Sequence, residues 1–273
     1  MPISLNIHSN ITFIVKQDTK PVYDSSAITG MIPKLYFKTE KKKVFIEDAR
    51  KLNNCAIDKN GFQFHKFESK YDEENISKNI KGYKREIELF LKKEFYYKHI
   101  FIFDTTRRSN KKTGAQNEDG RRQPADRAHV DYTTDSGPIR AKEIIGTKLY
   151  KETLESGGKI IQLNLWRPLC KKVKSSPLAF ADPTTVESND LVATDQRFPD
   201  RIGEIYHLAF NKRQKWYWLP NMTNTEALLL KGWDSSNYKG VIKFTPHTSF
   251  DITNQDIIKN PRDSIEARIF MIL

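Results

Sequence analysis

Two groups of potential metal ligands, far apart along the chain, place the strongest constraint on its fold. His129 and Asp131 are two residues apart in the segment RAHVDYT, and His247 follows much later, in KFTPHTSF. Residues i and i+2 of an extended strand point to the same face, so His129 and Asp131 can hold adjacent positions on one ion. A fold that uses all three residues must bring two distant strands together.

The residues that follow His247 strengthen this hypothesis. Two imidazoles and one carboxylate on one face leave three coordination positions open, which is the ligand set of non-haem Fe(II) oxygenases. His-x-Asp alone is a weak signal, because such pairs arise by chance. However, Arg262 and Ser264 are two residues apart and could clamp a carboxylate from one face of a strand.

Composition limits the classes of partner. The net charge of +12 is compatible with nucleic acid, acidic membranes or anionic small molecules. The longest apolar runs, such as 100–103, are far shorter than the roughly 20 residues of a membrane helix, so no membrane partner is expected. The N-terminus lacks the pattern of a secretory signal, which predicts a cytoplasmic location. The two cysteines have no zinc or disulfide spacing.

Hydrophobic periodicity predicts many short strands and two helices. Helices are predicted over 75–99 and from about 139 to 155, where apolar residues recur at three- and four-residue steps. In the strand 159–166, Ile161, Leu163 and Leu165 face one way, and the opposite, polar and aromatic face is expected to line a cavity. The other predictions are strands at 11–15, 34–37, 43–46, 100–104, 178–181, 241–245 and 264–272, a hairpin of 204–210 with 215–219, and a loop-rich excursion over 183–199.

The segment 105–127 is predicted to be a mobile loop, because it is polar and almost without apolar residues. It ends directly before His129, so it could act as an active-site lid or be a plain surface excursion. As a lid, its arginines would favour an anionic or carboxylate-bearing substrate. Its basic residues, Arg107, Arg108, Lys111, Lys112, Arg121, Arg122 and Arg127, outnumber its acidic ones, Glu118, Asp119 and Asp126.

These elements favour a mainly β fold with flanking helices, of the closed or double-sheet jelly-roll type. No repeat, low-complexity tract or linker interrupts the chain, so one domain over 1–273 is expected. Within it, 1–99 would form peripheral strands and a helix, and 100–273 would form the metal-binding core.

Several motifs in ordered succession resemble the CmcJ/AsaB family of non-haem iron oxygenases, which is related to fungal gibberellin desaturases. The resemblance covers about the last 175 residues, and the set is far more specific than any one motif. The motifs are HVDYT, NLWRPL, PLAFAD, the stretch from KWYWLPNMTNTEALLLKGWDS to FTPHTSF, and PRDSIEAR.

The resemblance implies a double-stranded β-helix fold, Fe(II), 2-oxoglutarate as cosubstrate, and O2. By motif position, His129, Asp131 and His247 would bind iron, and Arg262 with Ser264 would bind the distal carboxylate of 2-oxoglutarate. The NLWRP residues Asn164, Trp166 and Arg167 would line the cosubstrate or substrate pocket. Arg127 is a further candidate for substrate binding. Arg268 lies at even spacing from Arg262, so it could face the same cavity or simply pair with Glu266 or Asp263.

The function that follows is hydroxylation, desaturation or cyclisation of a small specialised or amino-acid-derived metabolite. One rival is a nucleic-acid oxidative dealkylase, which has a similar ligand pattern and would use the positive charge, although the NLWRP and KGWDS motifs fit it less well. Nucleic acid is therefore not the expected partner. The other rivals are a non-enzymatic β-barrel binding protein and an iron oxidase that needs no 2-oxoglutarate. No feature of the sequence specifies an oligomeric state.

Overall fold

The computed structural model describes residues 5–252 and 259–273, and strands dominate in it. The N-terminal part contributes five strands and three helices. In chain order these are β1 (Ile7–Ile14), β2 (Val22–Asp24), α1 (Ser26–Thr29), β3 (Lys34–Leu35), β4 (Thr39–Asp48), α2 (Ile57–Asn60), β5 (Phe62–Lys66) and α3 (Ile80–Glu94).

The remainder of the chain supplies the long central strands, several shorter strands and two helices. They are β6 (His99–Ser109), β7 (Ala115–Asn117), β8 (Gly120–Arg122), β9 (His129–Val130), α4 (Ser136–Ile145), α5 (Thr147–Glu155), β10 (Ile160–Pro168), β11 (Leu178–Ala181), β12 (Leu191–Arg197), β13 (Ile202–Leu208), β14 (Trp216–Trp218), β15 (Glu226–Asp234), β16 (His247–Ser249) and β17 (Asp263–Ile272). Single 3-10 turns occur at Ala49–Lys51, Ile76–Lys78, Pro183–Thr185 and Ser188–Asp190.

Two large sheets face each other. The larger has the order β1-β4-β14-β11-β16-β9-β13-β12-β2-β3, and the smaller has the order β5-β15-β10-β17-β6. Neighbours in each sheet are mostly distant in sequence, which is the topology of a jelly roll. The predicted fold class, mainly β with flanking helices and a double-stranded β-helix core, is confirmed.

The alternation predicted for β10 separates two environments. Ile161, Leu163 and Leu165 are buried on the outer face of the small sheet, against Tyr83 and Ile87 of α3. The even-numbered residues point to the inside of the sandwich, where Asn164 lies buried. The outer face therefore stabilises the fold, and the inner face is free to build a site.

The predicted helix 139–155 is in fact two helices, α4 and α5. Gly146 separates them with a φ of +88°, a conformation that L-residues with a side chain rarely adopt. The first predicted helix is confirmed over Ile80–Glu94, and a 3-10 turn at Ile76–Lys78 precedes it.

The predicted hairpin of 204–210 with 215–219 is wrong. β13 pairs with β12 and β9, whereas β14 pairs with β11 and β4. The real hairpin is β12–β13, closed by a turn in which the Phe198 amide donates to the Arg201 carbonyl oxygen. Pro199 lies at the second position of this turn, where its fixed φ is favourable. The excursion predicted over 183–199 therefore contains strand β12.

Two further predictions of local structure are wrong. The segment 105–127 is not one loop, because β6 continues to Ser109 along β17 and a β7–β8 hairpin follows. The Asp119-Gly120 dipeptide is the turn signal for that hairpin, and Gly120 has a φ of +114°. The run 241–245 is not a strand, since the strand begins at His247.

The N-terminal strands are built into both sheets. β4 pairs with β14, β2 pairs with β12, and β5 pairs with β15. These strands are peripheral in position, yet they share hydrogen bonds with the core. Among the described residues, no helix is long and apolar enough to cross a membrane.

Candidate metal centre

The three candidate ligands, which are distant in sequence, come together inside the sandwich. β9 lies between β16 and β13, and its His129 is in direct register with His247 of β16. The two imidazole rings are 4.5 Å apart between centroids, and Asp131 follows two residues after His129. One ligand atom from each of the three residues lies within 4.8 Å of the other two. This spacing allows all three to contact a common ion.

Each imidazole is oriented by a backbone carbonyl group. His129 Nδ1 lies 2.8 Å from the carbonyl oxygen of Arg127, and His247 Nδ1 lies 3.1 Å from that of Thr245. Donation from Nδ1 leaves Nε2 with its lone pair, which is the atom a metal needs. Burial, reinforced by the nearby His129, lowers the pKa of His247 to about 4, so this ring is neutral near pH 7. The rings therefore match the donor chemistry of a metal centre.

Asp131 is held from the opposite sheet. Its Oδ2 accepts hydrogen bonds from Asn164 Nδ2 at 2.7 Å and from Arg268 Nε at 3.1 Å. Burial opposes ionisation of this carboxyl group, but the charge of Arg268 and the contact with His129 keep its pKa well below the ordinary value. Asp131 is thus an ionised carboxylate in a fixed orientation. Its second oxygen, Oδ1, lies 3.4 Å from His129 Nε2.

Arg268 is surrounded by carboxylates of this chain. Besides Asp131, its guanidinium contacts Asp104 Oδ2 at 2.5 Å and Glu266 Oε1 at 2.6 Å. The sequence left two alternatives for Arg268: it could face the cavity or pair with a neighbouring carboxylate. In the structure it does both, because it pairs with Glu266 and also lines the cavity. Asn164 and Arg268 therefore position Asp131, and no contact assigns either of them to a cosubstrate.

Arg262 and Ser264 lie deeper, at the start of β17. Arg262 is buried over the ring of Trp166, 5.4 Å from its centroid, and its Nη1 donates to the Ser176 carbonyl oxygen at 2.5 Å. Its Nε is buried with no hydrogen-bond partner among the described residues. Burial and the charge of Arg108 lower the pKa of Arg262 to about 9. Ser264 Oγ lies 3.4 Å from the Arg108 carbonyl oxygen.

The structure does not bring Trp166 or Arg167 to the wall of the large cavity. Trp166 is 3% exposed and packs with Phe180 and Leu228 in an apolar cluster. Arg167 points to the other face of β10, as strand alternation requires, and donates to the carbonyl oxygens of Tyr71 and Asn224. Both side chains have structural surroundings, so the substrate-binding role suggested for them has no support in their contacts.

A cavity of about 1650 Å³ opens beside the centre, and His129, Asp131 and Arg268 contribute to its wall. Arg127 also lines it, with its guanidinium 5.8 Å from the centroid of the Tyr23 ring. The structure thus brings Arg127 to the cavity wall, and its role in substrate binding stays a prediction. Arg262, Ser264, Asn164 and His247 lie behind the surface of the cavity.

Sequence reasoning named Glu266 as a possible partner of Arg268 but missed Asp104 and Asp131. Asp104 and Glu266 come from β6 and β17, and their approach depends on strand register. Burial and the negative charge of Asp131 raise the pKa of Glu266, whereas Arg268 acts against this increase. Arg108 of β6 was noted only as one of several basic residues, and its position beside the centre could not be read from spacing.

Comparison with known proteins finds a matching family, similar sequences and a similar fold. The model of a family described as an oxidoreductase/YMDC permease-like domain matches residues 11–272. The chain is 32% identical over 120 residues to the hydroxylase/desaturase asaB of Aspergillus flavus, covering 39% of this chain and 52% of that protein. It is 30% identical over 151 residues to the alpha-ketoglutarate-dependent dioxygenase tstK of Talaromyces stipitatus, covering 55% of this chain and 53% of that protein.

A solved structure of the iron and alpha-ketoglutarate-dependent endoperoxidase NvfI shares the fold. Its TM-score is 0.80 at 21% identity, and the match covers 97% of each chain. The chain spans about half the length of the two fungal relatives. The likeness to asaB confirms the resemblance to the CmcJ/AsaB group, and the match over residues 11–272 places this chain in the oxidoreductase/YMDC permease-like family.

Proposed function

We propose that this chain is an Fe(II)- and 2-oxoglutarate-dependent oxygenase that hydroxylates, desaturates or cyclises a small specialised metabolite. The observation that carries the proposal is the convergence of His129, Asp131 and His247 within 4.8 Å. Two imidazoles and a carboxylate are the donors that Fe(II) oxygenases use, and they leave positions for a cosubstrate and O2. The named activities of the asaB and tstK relatives support the same class.

The residues present fit a ferrous ion. The carbonyl groups beside the two Nδ1 atoms direct Nε2 towards the centre, and Asn164 with Arg268 keeps Asp131 ionised and oriented. Bound iron, with 2-oxoglutarate and O2, would supply the oxidising power needed to remove hydrogen from a C–H bond. The protein fixes the ligands, encloses the substrate and excludes water.

Within this proposal, Arg262 and Ser264 bind the distal carboxylate of 2-oxoglutarate. Arg262 has a buried Nε without a partner among the described residues, and an arginine with a neighbouring hydroxyl suits a carboxylate. Since both residues lie behind the wall of the cavity, we expect a local rearrangement on binding. A small-molecule substrate and a cytosolic location are parts of the same proposal.

The test is an anaerobic titration of the protein with Fe(II) and 2-oxoglutarate, monitored by the visible charge-transfer band. We expect one Fe(II) per chain, the band in the wild type, and loss of both in His129→Ala, Asp131→Ala and His247→Ala. His99→Ala is the matched control, because His99 is exposed and lies outside the cavity. Retention of stoichiometric iron by the three variants would contradict the proposal.

A metabolite panel scored by succinate release then tests the reaction. Release that depends on added 2-oxoglutarate supports the proposal, whereas turnover without it indicates an iron oxidase of another kind. A salt-sensitive shift of labelled DNA or RNA, with succinate release on alkylated oligonucleotides alone, would favour the nucleic-acid dealkylase.

A further inference from the structure

The basic residues that line the cavity differ in their partners. Most of them form ion pairs within the chain: Arg107 with Asp263, Arg122 with Asp119, Arg127 with Asp126, Arg140 with Glu143, and Arg268 with Asp104, Asp131 and Glu266. Arg108, Lys84 and Arg201 form no ion pair with a described residue. Lys84 donates to the Ile102 carbonyl oxygen, and Arg201 stacks on Phe198 at the mouth. Of these three residues, Arg108 lies beside the candidate metal centre, where the charge of Asp131 acts on it.

Arg108 lies on β6, opposite Ser264 of β17. Burial lowers the pKa of its guanidinium overall, although the negative charges of Glu266 and Asp131 act on the group and raise that pKa. Arg108 forms no ion pair with either carboxylate, because both pair with Arg268. Its Nη1 donates to the Gln123 carbonyl oxygen at 3.0 Å. The remaining nitrogens have no partner among the described residues and are not sealed from the cavity. Arg108 thus lines the cavity with donors that no described residue uses.

An enclosed guanidinium without a directly paired counterion is unfavourable, because the solvation that it loses is only partly offset by carboxylates that already pair with Arg268. Its planar donors match a carboxylate, which can accept two parallel hydrogen bonds. We propose that Arg108 binds a carboxylate of a molecule held in the cavity beside the metal centre. This inference rests on the proposed function, and it adds a binding residue on β6 that is separate from Arg262 and Ser264.

Two molecules could bring such a carboxylate: the substrate, or 2-oxoglutarate, whose distal group Arg108 would then bind in place of Arg262 and Ser264. The residues at the mouth of the cavity indicate the chemical character of a carboxylate-bearing substrate. Ile32, Ile139 and Ile202 line the mouth from three separate segments and are 62%, 58% and 69% exposed. Exposed apolar residues gathered around a cavity are typical of ligand sites. A substrate that reached Arg108 would therefore combine an acidic end with an apolar body.

The test uses Arg108→Gln, Arg108→Lys and the matched control Arg121→Gln. Arg121 is an exposed arginine of the neighbouring strand β8 and does not line the cavity. In the first arm, iron-loaded protein is titrated anaerobically with 2-oxoglutarate. In the second arm, metal-free protein is titrated with octanoate and with 1-octanol, and binding is measured by the shift in melting temperature.

We expect Arg108→Gln to weaken binding of one carboxylate probe by about tenfold or more, with no effect on 1-octanol. Arg108→Lys should retain part of the affinity, since it keeps the charge without the fork of donors, and Arg121→Gln should match the wild type. A loss for 2-oxoglutarate identifies the cosubstrate as the source of the carboxylate. A loss for octanoate alone identifies the substrate.

Affinities of Arg108→Gln and Arg108→Lys equal to the wild type in both arms overturn the inference. This result is distinguishable from failure of the proposed function. If the wild type binds no Fe(II) and shows no charge-transfer band, the oxygenase proposal fails. The octanoate arm needs no metal and then decides the role of Arg108 alone.

Discussion

At the scale of single residues, the geometry of the candidate centre depends on side chains that are not among its three candidate ligands. Asp131 receives one hydrogen bond from Asn164 and one from Arg268, both on the same oxygen. These partners come from the opposite sheet, so they fix the carboxylate relative to the two histidines. Residues of this kind govern metal affinity through orientation.

Asn164→Ala should therefore weaken Fe(II) binding by about 10- to 100-fold, because Asp131 loses its shortest hydrogen bond. The measurement is an anaerobic Fe(II) titration, with the melting temperature of the metal-free protein recorded alongside. Asn53→Ala, at an exposed position, is the control. A lower melting temperature with unchanged iron affinity would show that Asn164 is merely structural.

We expect Asp263 to make the stability of the chain depend on pH. Burial raises its pKa to about 6, although its ion pair with Arg107 at 3.1 Å acts in the opposite direction. In the unfolded chain the carboxyl group titrates near 3.9, so between these values the folded state holds more protons. The contribution of Asp263 to stability is therefore present below about pH 4 and is lost as the pH rises to 6.

Asp263→Asn should remove this dependence and keep a hydrogen bond to Arg107. Between pH 4 and pH 6, we expect the free energy of unfolding of the wild type to fall relative to the variant, by on the order of 2 kcal/mol. Urea denaturation of both proteins at half-unit intervals of pH measures the difference. Parallel curves for the two proteins would contradict the assigned pKa.

At the scale of elements, α3 covers the outer face of the sheet that positions Asn164 and Arg268. Tyr83, Ile87 and Leu91 recur at helical spacing, are fully buried, and pack on the odd-numbered residues of β10 and β17. Because the odd-numbered residues of a strand are fixed by this packing, the even-numbered ones are directed into the site.

Ile87→Ala should destabilise the protein by about 2–5 kcal/mol, because it leaves a cavity between α3 and the sheet. Leu89→Ala on the same helix is the control. Leu89 is 48% exposed, and its replacement should change the stability by about 0.5 kcal/mol or less. Urea denaturation followed by circular dichroism provides both values, and equal losses for the two variants would mean that α3 does not pack in this orientation.

At the scale of the whole molecule, the chain should unfold as one unit. The peripheral segment 1–99 contributes strands to both sheets, so it cannot separate without breaking hydrogen bonds of the core. All four tryptophans lie in 100–273, whereas circular dichroism reports on both parts. Fluorescence and circular dichroism should therefore give coincident urea transitions. Two separate transitions would show that 1–99 and 100–273 are independent domains.

The tertiary structure explains which predictions of local structure were wrong. The β12–β13 hairpin was missed even though Pro199 marks its turn, because the apolar runs of β13 and β14 are close in sequence and look like partners. Several strands of the larger sheet lie between them. Strand pairing over long distances is not encoded in local periodicity, so the true neighbours could not be derived.

The sequence by itself predicted the three candidate ligands that the structure brings together, and it determined the two faces of β10. Ligand chemistry belongs to the residue type, and strand alternation is a local property of the backbone, so neither requires knowledge of distant contacts. Only the tertiary structure decided that Arg268 contacts three carboxylates, that Arg167 points away, and that Arg108 faces the cavity without a counterion. Those outcomes depend on the register between strands and on which charges meet inside the sandwich, and both are set by the packing of the whole chain.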